Sequence, residues 1–412
     1  MTSEILILTP SAVALAADSA VTIDGRKTYN GVNKLFMLSN KPPMGIMTYN
    51  FSNFSSIPLE TLIKEFRNEI NGELKTVLHF KNCFEEFLNK LLENSNHISS
   101  FQEILSKFIS NITNDIEHVN NSMFEDIVNN IASKVNYDDL KDYSEDIIEK
   151  INQSESEINN LIPENMGESK KAKFLENLKK FIIFKLFIEP YIGIVIAGFD
   201  DDKLFPSYIE FKITYLYENK FILKVNKKHD DNGNPVDIYD NKGNQVHVRP
   251  LAQGDVINTF LGSIDEYTEY QIINYFDKIH IDYIDKLEKA MKNNPKLKDK
   301  QDEVLYEINK VYKGNQLLTK DFESFLNELK KQHSKPILES IGALPKEELS
   351  NLAESLIKIT SIKRKVQDDL ETVGGPIDVA IITKGDGFIW TKRKHYFDGE
   401  MNPQFFERNK NI

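Results

Sequence analysis

The chain has 412 residues, with 51 basic against 63 acidic side chains and a formal net charge of −12. That length exceeds what one hydrophobic core usually serves, so extra lobes or large insertions are expected, and an acidic chain without a basic stripe argues against nucleic-acid binding. The single cysteine, Cys83, excludes an internal disulfide and suits a reducing, cytoplasmic compartment.

Residues 2–34 read TSEILILTPSAVALAADSAVTIDGRKTYNGVNK. Ile5, Leu6, Ile7 and Leu8 form a short apolar strand, Pro10-Ser11 a turn, and Ala12 to Ala17 a second strand ending at Asp18. A small second residue favours removal of Met1, which leaves Thr2 with a free α-amine beside its own hydroxyl. An α-amine with an ordinary pKa of about 7.7–8 can accept a proton near neutrality, and a threonine hydroxyl needs such a base before it attacks a carbonyl. Asp18 and Lys34 are the charged residues that follow, and the Thr2-to-Asp18 and Asp18-to-Lys34 spacings are equal. An export signal is the rival reading, since Ile5 to Val13 has the character of an h-region and Ala14-Leu15-Ala16 that of a cleavage site. Glu4, Pro10 and the lack of any Lys or Arg at the start argue against it.

Further along, Lys34 to Leu38 reads as a third strand, Lys41-Pro42-Pro43 as a turn and Met44 to Tyr49 as a fourth strand. The period becomes helical at Pro58, with Leu59, Leu62, Ile63, Phe66 and Ile70 on one face. Amphipathic stripes follow at Phe84/Phe87/Leu88/Leu91, Phe101/Ile104/Leu105/Phe108/Ile112, Phe124/Ile127/Val128/Ile131 and Leu140/Tyr143/Ile147/Ile151, and Pro163 closes the block. Cys83 lies on one of these apolar faces and reads as a small hydrophobe. Phe174 to Phe187 is expected to be a second core helix and Tyr191 to Asp200 a fifth strand. The apolar run across Phe181 to Phe199 is broken by Lys185, Glu189 and Pro190, so no membrane span is expected.

Strands continue at Ser207–Tyr215 and Lys220–Val225. The turn clusters Asp230–Asn234 and Asp240–Asn244 read as hairpin turns, because Pro235 and the lack of a bidentate Glu disfavour a calcium loop. The eight histidines show no metal-ligand spacing, and no metal or cofactor is expected. Helical stripes return at Tyr267/Tyr270/Ile273/Phe276/Ile279, Val304/Leu305/Ile308/Val311 and Phe322/Phe325/Leu326/Leu329, then over Pro345 to Thr360. A late segment, VGGPIDVAIITKGDGFIW, reads as two strands around a Gly385-Asp386-Gly387 turn. Blocks of strands separated by blocks of helices define an α+β fold.

The N-terminal Thr, the strand and turn, VALAADSAVT and then NKLFML resemble the opening of proteasome β-subunits and of the bacterial peptidase HslV, N-terminal-nucleophile (Ntn) hydrolases of the threonine-peptidase type. The resemblance implies a four-layer αββα Ntn-hydrolase sandwich, here with two large α-helical insertions. The core would comprise 1–74, 166–291 and 343–412, and the insertions 75–165 and 292–342. Within it, 246–254 and 255–262 take the place of the glycine-containing loop behind the nucleophile. The resemblance also implies a threonine endopeptidase cleaving amide bonds of a peptide or protein substrate. Thr2 attacks, its α-amine shuttles the proton, Lys34 supplies positive potential, and Asp18 holds Lys34 and the terminus. By offset from Thr2 the oxyanion-hole amide falls on Thr48, where the family usually has Gly and the only nearby glycine is Gly45. In the late hairpin Val373 stands where the family often has Ser, and Leu370 where it has Asp, unless Asp368, Asp369 or Thr372 substitutes in a shifted turn. The expected partners are further copies of the chain and an ATP-dependent unfoldase. Two rivals use the same fold: a catalytically silent scaffold binding a partner through its insertions, favoured by the departures at Thr48 and Val373, and an amidase acting on a small molecule.

Overall fold

The computed structural model describes residues 2–23, 27–54, 57–70, 74–93, 100–116, 121–135, 145–163, 166–217, 220–225, 234–237, 246–292, 306, 316–366 and 374–408. In chain order the strands begin with β1 (Ser3–Leu8), β2 (Val13–Ala17), β3 (Ala20–Ile23), β4 (Lys27–Asn30), β5 (Leu35–Asn40), β6 (Pro43–Asn50), β7 (Asn53–Phe54) and β8 (Ile57–Pro58). Helices α1 (Leu59–Glu69), α2 (Val77–Glu93), α3 (Phe101–Ile116), α4 (Asn121–Lys134), α5 (Glu145–Gln153), α6 (Glu155–Ile158) and α7 (Glu168–Ile183) follow, the last running into a π-helical turn over Phe184–Ile188. Next come β9 (Tyr191–Phe199), β10 (Pro206–Tyr217), β11 (Lys220–Val225), β12 (Val236–Asp237) and β13 (His247–Ala252). The chain continues through α8 (Asp255–Gly262), α9 (Glu266–Lys292), α10 (Gln316–Gly342) and α11 (Lys346–Val366), then β14 (Asp378–Thr383), β15 (Gly387–Lys392) and α12 (Pro403–Arg408).

Two compact units result. One comprises Met1–Val32, Ile238–Ile381 and Trp390–Ile412, the other Asn33–Asp237 and Ile382–Ile389. The first is built on a five-stranded sheet in the order β13-β1-β2-β14-β15, with β1 antiparallel to both neighbours. Its strands β1 and β2 are buried on both faces, which is why Ile5–Leu8 and Val13–Ala17 read as unbroken apolar runs rather than alternating ones. On one face Ile5, Ile7, Ala14 and Ala16 meet Leu349, Ala353, Leu356 and Ile357, the stripe of α11, together with Ile257 and Ile341. Each fully buried Leu or Ile of such a stripe contributes about 1.5–3 kcal/mol relative to exposure.

Strand β13 departs from the sequence-based expectation of a loop over 246–254: it pairs with β1, Pro250 facing Ile5 and Arg249 facing Leu6. A proline has no N–H to give, and an edge position is where a sheet tolerates that loss. A short ribbon, β3 with β4, follows β2 in the same unit.

The second unit is a six-stranded antiparallel sheet in the order β11-β10-β9-β6-β5, with β12 attached to β10. One face carries α1 and α2, whose Leu62, Phe66, Phe80, Phe84 and Leu88 pack with Phe36, Ile46, Ile194 and Phe211. The Phe66 and Phe84 rings meet edge to face, 5.0 Å between centroids. The helix beside α1 on this core is α2. Phe174 to Phe187, expected to be the second core helix, instead joins α3, α4 and α5 in a second apolar cluster around Leu105, Val128, Ile151, Leu178 and Ile182. The physical reason is the start of α2: its apolar stripe includes Val77 and Phe80, ahead of Phe84, and the Asp200 carboxylate after β9 accepts the Val77 amide at 2.7 Å. Cys83 lies half-buried against this core, and burial, reinforced by Glu86, pushes its thiol up, as suits an inert packing residue.

Among the described residues no helix is long and apolar enough to cross a membrane, and no group of His, Cys, Asp and Glu could hold a metal ion. The run from Phe181 to Phe199 becomes the end of α7, the π-helical turn and β9. Met1, Leu140, Tyr143, Asp230 to Gly233, Asp240 to Asn244, Val304, Leu305, Ile308, Val311, Asp368, Asp369, Leu370, Thr372 and Val373 lie outside the described residues.

Candidate active site

Thr2 and Asp18 both belong to the first unit, and the β1–β2 register brings them close. Because Glu4 faces Ala17, the residue after β2 falls beside Ser3. The Ser3 amide donates to Asp18 Oδ1 at 3.2 Å, and the Asp18 amide returns a bond to the Ser3 carbonyl at 3.1 Å. Asp18 Oδ2 accepts the Gly374 amide at 3.0 Å. Ser19, next in line, donates its amide to the Gly374 carbonyl at 3.2 Å and its hydroxyl to the Pro376 carbonyl. A buried carboxylate that accepts two backbone amides acts as a clamp, fixing the chain beside Thr2 against the segment that leads into β14.

Thr2 itself is buried, and its carbonyl accepts the Gln253 amide at 3.1 Å, one step beyond the Ser3–Ala252 pair. Ala252 has a φ of 55°, a left-handed conformation in which β13 ends and the chain turns toward α8. The Thr2 hydroxyl donates to Glu4 Oε2 at 3.1 Å. Residues two apart on a strand share a face, so Thr2 and Glu4 project together on the side away from Ile5 and Ile7. Glu4 is completely buried. A threonine hydroxyl bonded to a carboxylate in a dry setting is an arrangement from which a proton can be drawn off oxygen.

Lys34 and Thr48 belong to the second unit. Both are buried; Lys34 immediately precedes β5 and Thr48 lies on β6, and the Thr48 amide donates to the Lys34 carbonyl at 2.8 Å. Thr48 faces Ile194 of β9 on its other side. Its amide is therefore engaged in the sheet, and a role for it at an oxyanion would require exchange of that bond.

Three participants were not singled out for the site by sequence reasoning: Glu4, Gln253 and the amide of Gly374. For Glu4 a signal was present, a carboxylate directly ahead of the apolar run Ile5–Leu8. Gln253 and Gly374 contribute backbone groups, which carry no residue-type signature.

The residues thus define a mixed helix-and-sheet protein with two main sheets, of five and six strands, and a buried threonine–carboxylate pair at the start of the first strand. No protein-family model matches the sequence, and neither does any curated protein. Among solved structures the chain is similar to Anbu (ancestral beta-subunit) from Yersinia bercovieri, at 8% identity over 98% of this chain and 94% of that one, with a TM-score of 0.31. It is similar as well to the chain in the helical assembly of the Anbu complex from Pseudomonas aeruginosa, at 8% identity, 99% and 94% coverage and a TM-score of 0.32. A Gly-1 mutant of Anbu from Hyphomicrobium sp. strain MC1 gives 9% identity, 100% and 99% coverage and a TM-score of 0.31.

Proposed function

We propose that the protein is an N-terminal-nucleophile hydrolase of the proteasome-like threonine-peptidase type, on an αββα Ntn-hydrolase sandwich, with Thr2 as the group that attacks an amide carbonyl. The observation that carries this reading is the Thr2 hydroxyl, buried and donating to a carboxylate at 3.1 Å, on a backbone clamped by Asp18. Removal of Met1 gives Thr2 an α-amine that shuttles the proton, and Lys34 supplies positive potential at the nucleophile in this reading. Asp18 acts through position, holding the Ser3 amide and with it the terminus. The substrate class is peptide or unfolded protein, delivered by an ATP-dependent unfoldase. Further copies of the chain complete the assembly; Ile272, Tyr275, Ile279, Tyr283 and Leu287 of α9 leave apolar surface exposed that self-association would cover.

Two measurements test this. Intact mass is expected to show loss of one methionine, and a hydroxyl-directed β-lactone is expected to acylate Thr2. Retention of Met1 removes the α-amine from the mechanism, and labelling or hydrolysis unchanged in Thr2→Ala removes the nucleophile. Sedimentation at micromolar concentration is expected to show an oligomer rather than a monomer.

A specific observation favours the scaffold reading as a second possibility: the Thr48 amide, which an oxyanion would need, is bonded to the Lys34 carbonyl. A wild type that takes no label would select it.

A further inference from the structure

We infer that Glu4 is a catalytic residue, the carboxylate that takes the proton from the Thr2 hydroxyl as it attacks; this rests on the reading of Thr2 as nucleophile. Burying a carboxylate costs several kcal/mol unless its charge is compensated, and the four residues that follow Glu4 in β1, Ile5 to Leu8, are all apolar. What the carboxylate adds is a proton acceptor 3.1 Å from the hydroxyl oxygen, within the reach a general base requires. The local backbone holds it there. Glu4 is paired to Ala17 on one side and Leu251 on the other, while Thr2 is tied through its carbonyl to Gln253 and through the next amide to Asp18. Nucleophile and acceptor are therefore held two residues apart, Glu4 in β1 and Thr2 just ahead of it.

The step closes without a co-reactant other than water. Thr2 Oγ1 bonds to the carbonyl carbon of the amide while its proton passes to Glu4 Oε2. Collapse of the tetrahedral adduct breaks the C–N bond, and the proton on Glu4 goes to the departing nitrogen. A water molecule then attacks the Thr2 ester, yields a proton to Glu4, and the acid leaves as Thr2 Oγ1 recovers that proton. In this scheme Glu4 takes over the proton shuttle that the reading above gives to the α-amine, so the hydroxyl has a base whether the Thr2 nitrogen is a free amine or still an amide.

The test compares wild type, Thr2→Ala, Glu4→Gln and Glu4→Asp as full-length chains, by the rate of β-lactone acylation at Thr2 and by kcat and KM on a peptide amide. Glu4→Gln keeps the shape and a hydrogen-bonding oxygen but not the basicity. It is expected to lower kcat and the acylation rate by about 10²–10⁴, with KM and the melting temperature close to wild type. Wild-type rates in Glu4→Gln overturn the inference and leave Thr2 as nucleophile with another base. If Glu4→Gln does not fold, Glu4→Asp decides: its carboxylate is drawn back by one methylene, and a loss of about 10² in acylation is expected, whereas an unchanged rate overturns the inference. Acylation or hydrolysis persisting in Thr2→Ala, or no labelling of wild type, overturns the underlying reading and Glu4 with it.

Discussion

The Asp18 carboxylate reaches the Gly374 amide at 3.0 Å while its other oxygen holds the Ser3 amide, so one side chain ties together segments from opposite ends of the chain. Replacing Asp18 by Asn leaves one carbonyl oxygen for two amides and turns an NH2 toward the second. A buried N–H without an acceptor costs about 1–3 kcal/mol. Asp18→Asn is therefore expected to lower the denaturant midpoint with the slope unchanged, and Asp18→Ala to lower it further. If the proposed chemistry holds, Asp18→Asn also reduces hydrolysis by about 10² or more.

Tyr49 makes a different kind of cross-sheet contact. Its ring lies over Gly193, the residue opposite it on β9, and its hydroxyl donates to Glu210 of β10 at 2.7 Å. A Cβ at position 193 would stand 2.1 Å from the ring. Gly193→Ala is expected to cost about 1–3 kcal/mol through displacement of that ring. In a Tyr49→Ala background the same substitution should cost far less, and a double-mutant cycle by chemical denaturation measures the coupling. Additive effects would show that the ring and the glycine are independent.

Asp255, at the start of α8, pairs with Lys363 at 2.8 Å and with Arg364, in the last turn of α11. Burial raises the pKa of its carboxyl, but the Lys363 hydrogen bond and the two cations outweigh that and hold it below the ordinary value. A depressed carboxyl pKa means stability present above the unfolded value, about 3.9, and lost as pH falls through the folded one. The stability difference between wild type and Asp255→Asn should thus be full at pH 7 and shrink below about pH 4. A difference that stays constant down to acid pH would exclude the ion pairs as its source.

Lys34 carries the proposal that a point cation assists Thr2. Lys34→Met is expected to lower acylation and hydrolysis by at least about 10², and Lys34→Arg not to restore them fully, since the planar guanidinium has a different reach and cannot give up a proton. Combined with Asp18→Asn the losses should be less than additive, as for groups that act as a unit. Full activity in Lys34→Met would remove the residue from the mechanism.

Where local sequence dominated, the fold was legible. The runs ILIL, VALAA and YIGIVIAGF, bounded by turn residues, emerge in β1, β2 and β9, and a turn at Lys384-Gly385-Asp386, one residue ahead of the expected one, separates β14 from β15. Strand β13 was not legible, because HVRPLA contains an arginine and a proline and is a strand only by virtue of β1, far away in sequence. The role of α2 was missed at its first turn, where Val77 and Phe80 extend the stripe and Asp200 fixes the start. At the site, spacing drew attention to Thr2 and Asp18, and the hairpin register accounts for their proximity. Glu4 was legible only as an oddity, because the meaning of a charge in an apolar strand depends on which atom it faces.

Gly193 and Gly198 bear on how β6 and β9 find each other. A side chain at Gly198 would strike the Pro43 carbonyl and the Met44 side chain, just as one at Gly193 would strike Tyr49. The two glycines are an odd number of positions apart and so guard opposite faces of the strand. Strands joined by a short hairpin inherit their alignment from the turn, but α1 to α7 intervene between β6 and β9, and a connection of that length imposes none. The alignment must be written into the strands themselves. Sliding β6 by one residue sets Tyr49 against Ile192 or Ile194, where there is no gap for the ring, so misaligned encounters are rejected sterically and the search ends only when both notches are filled.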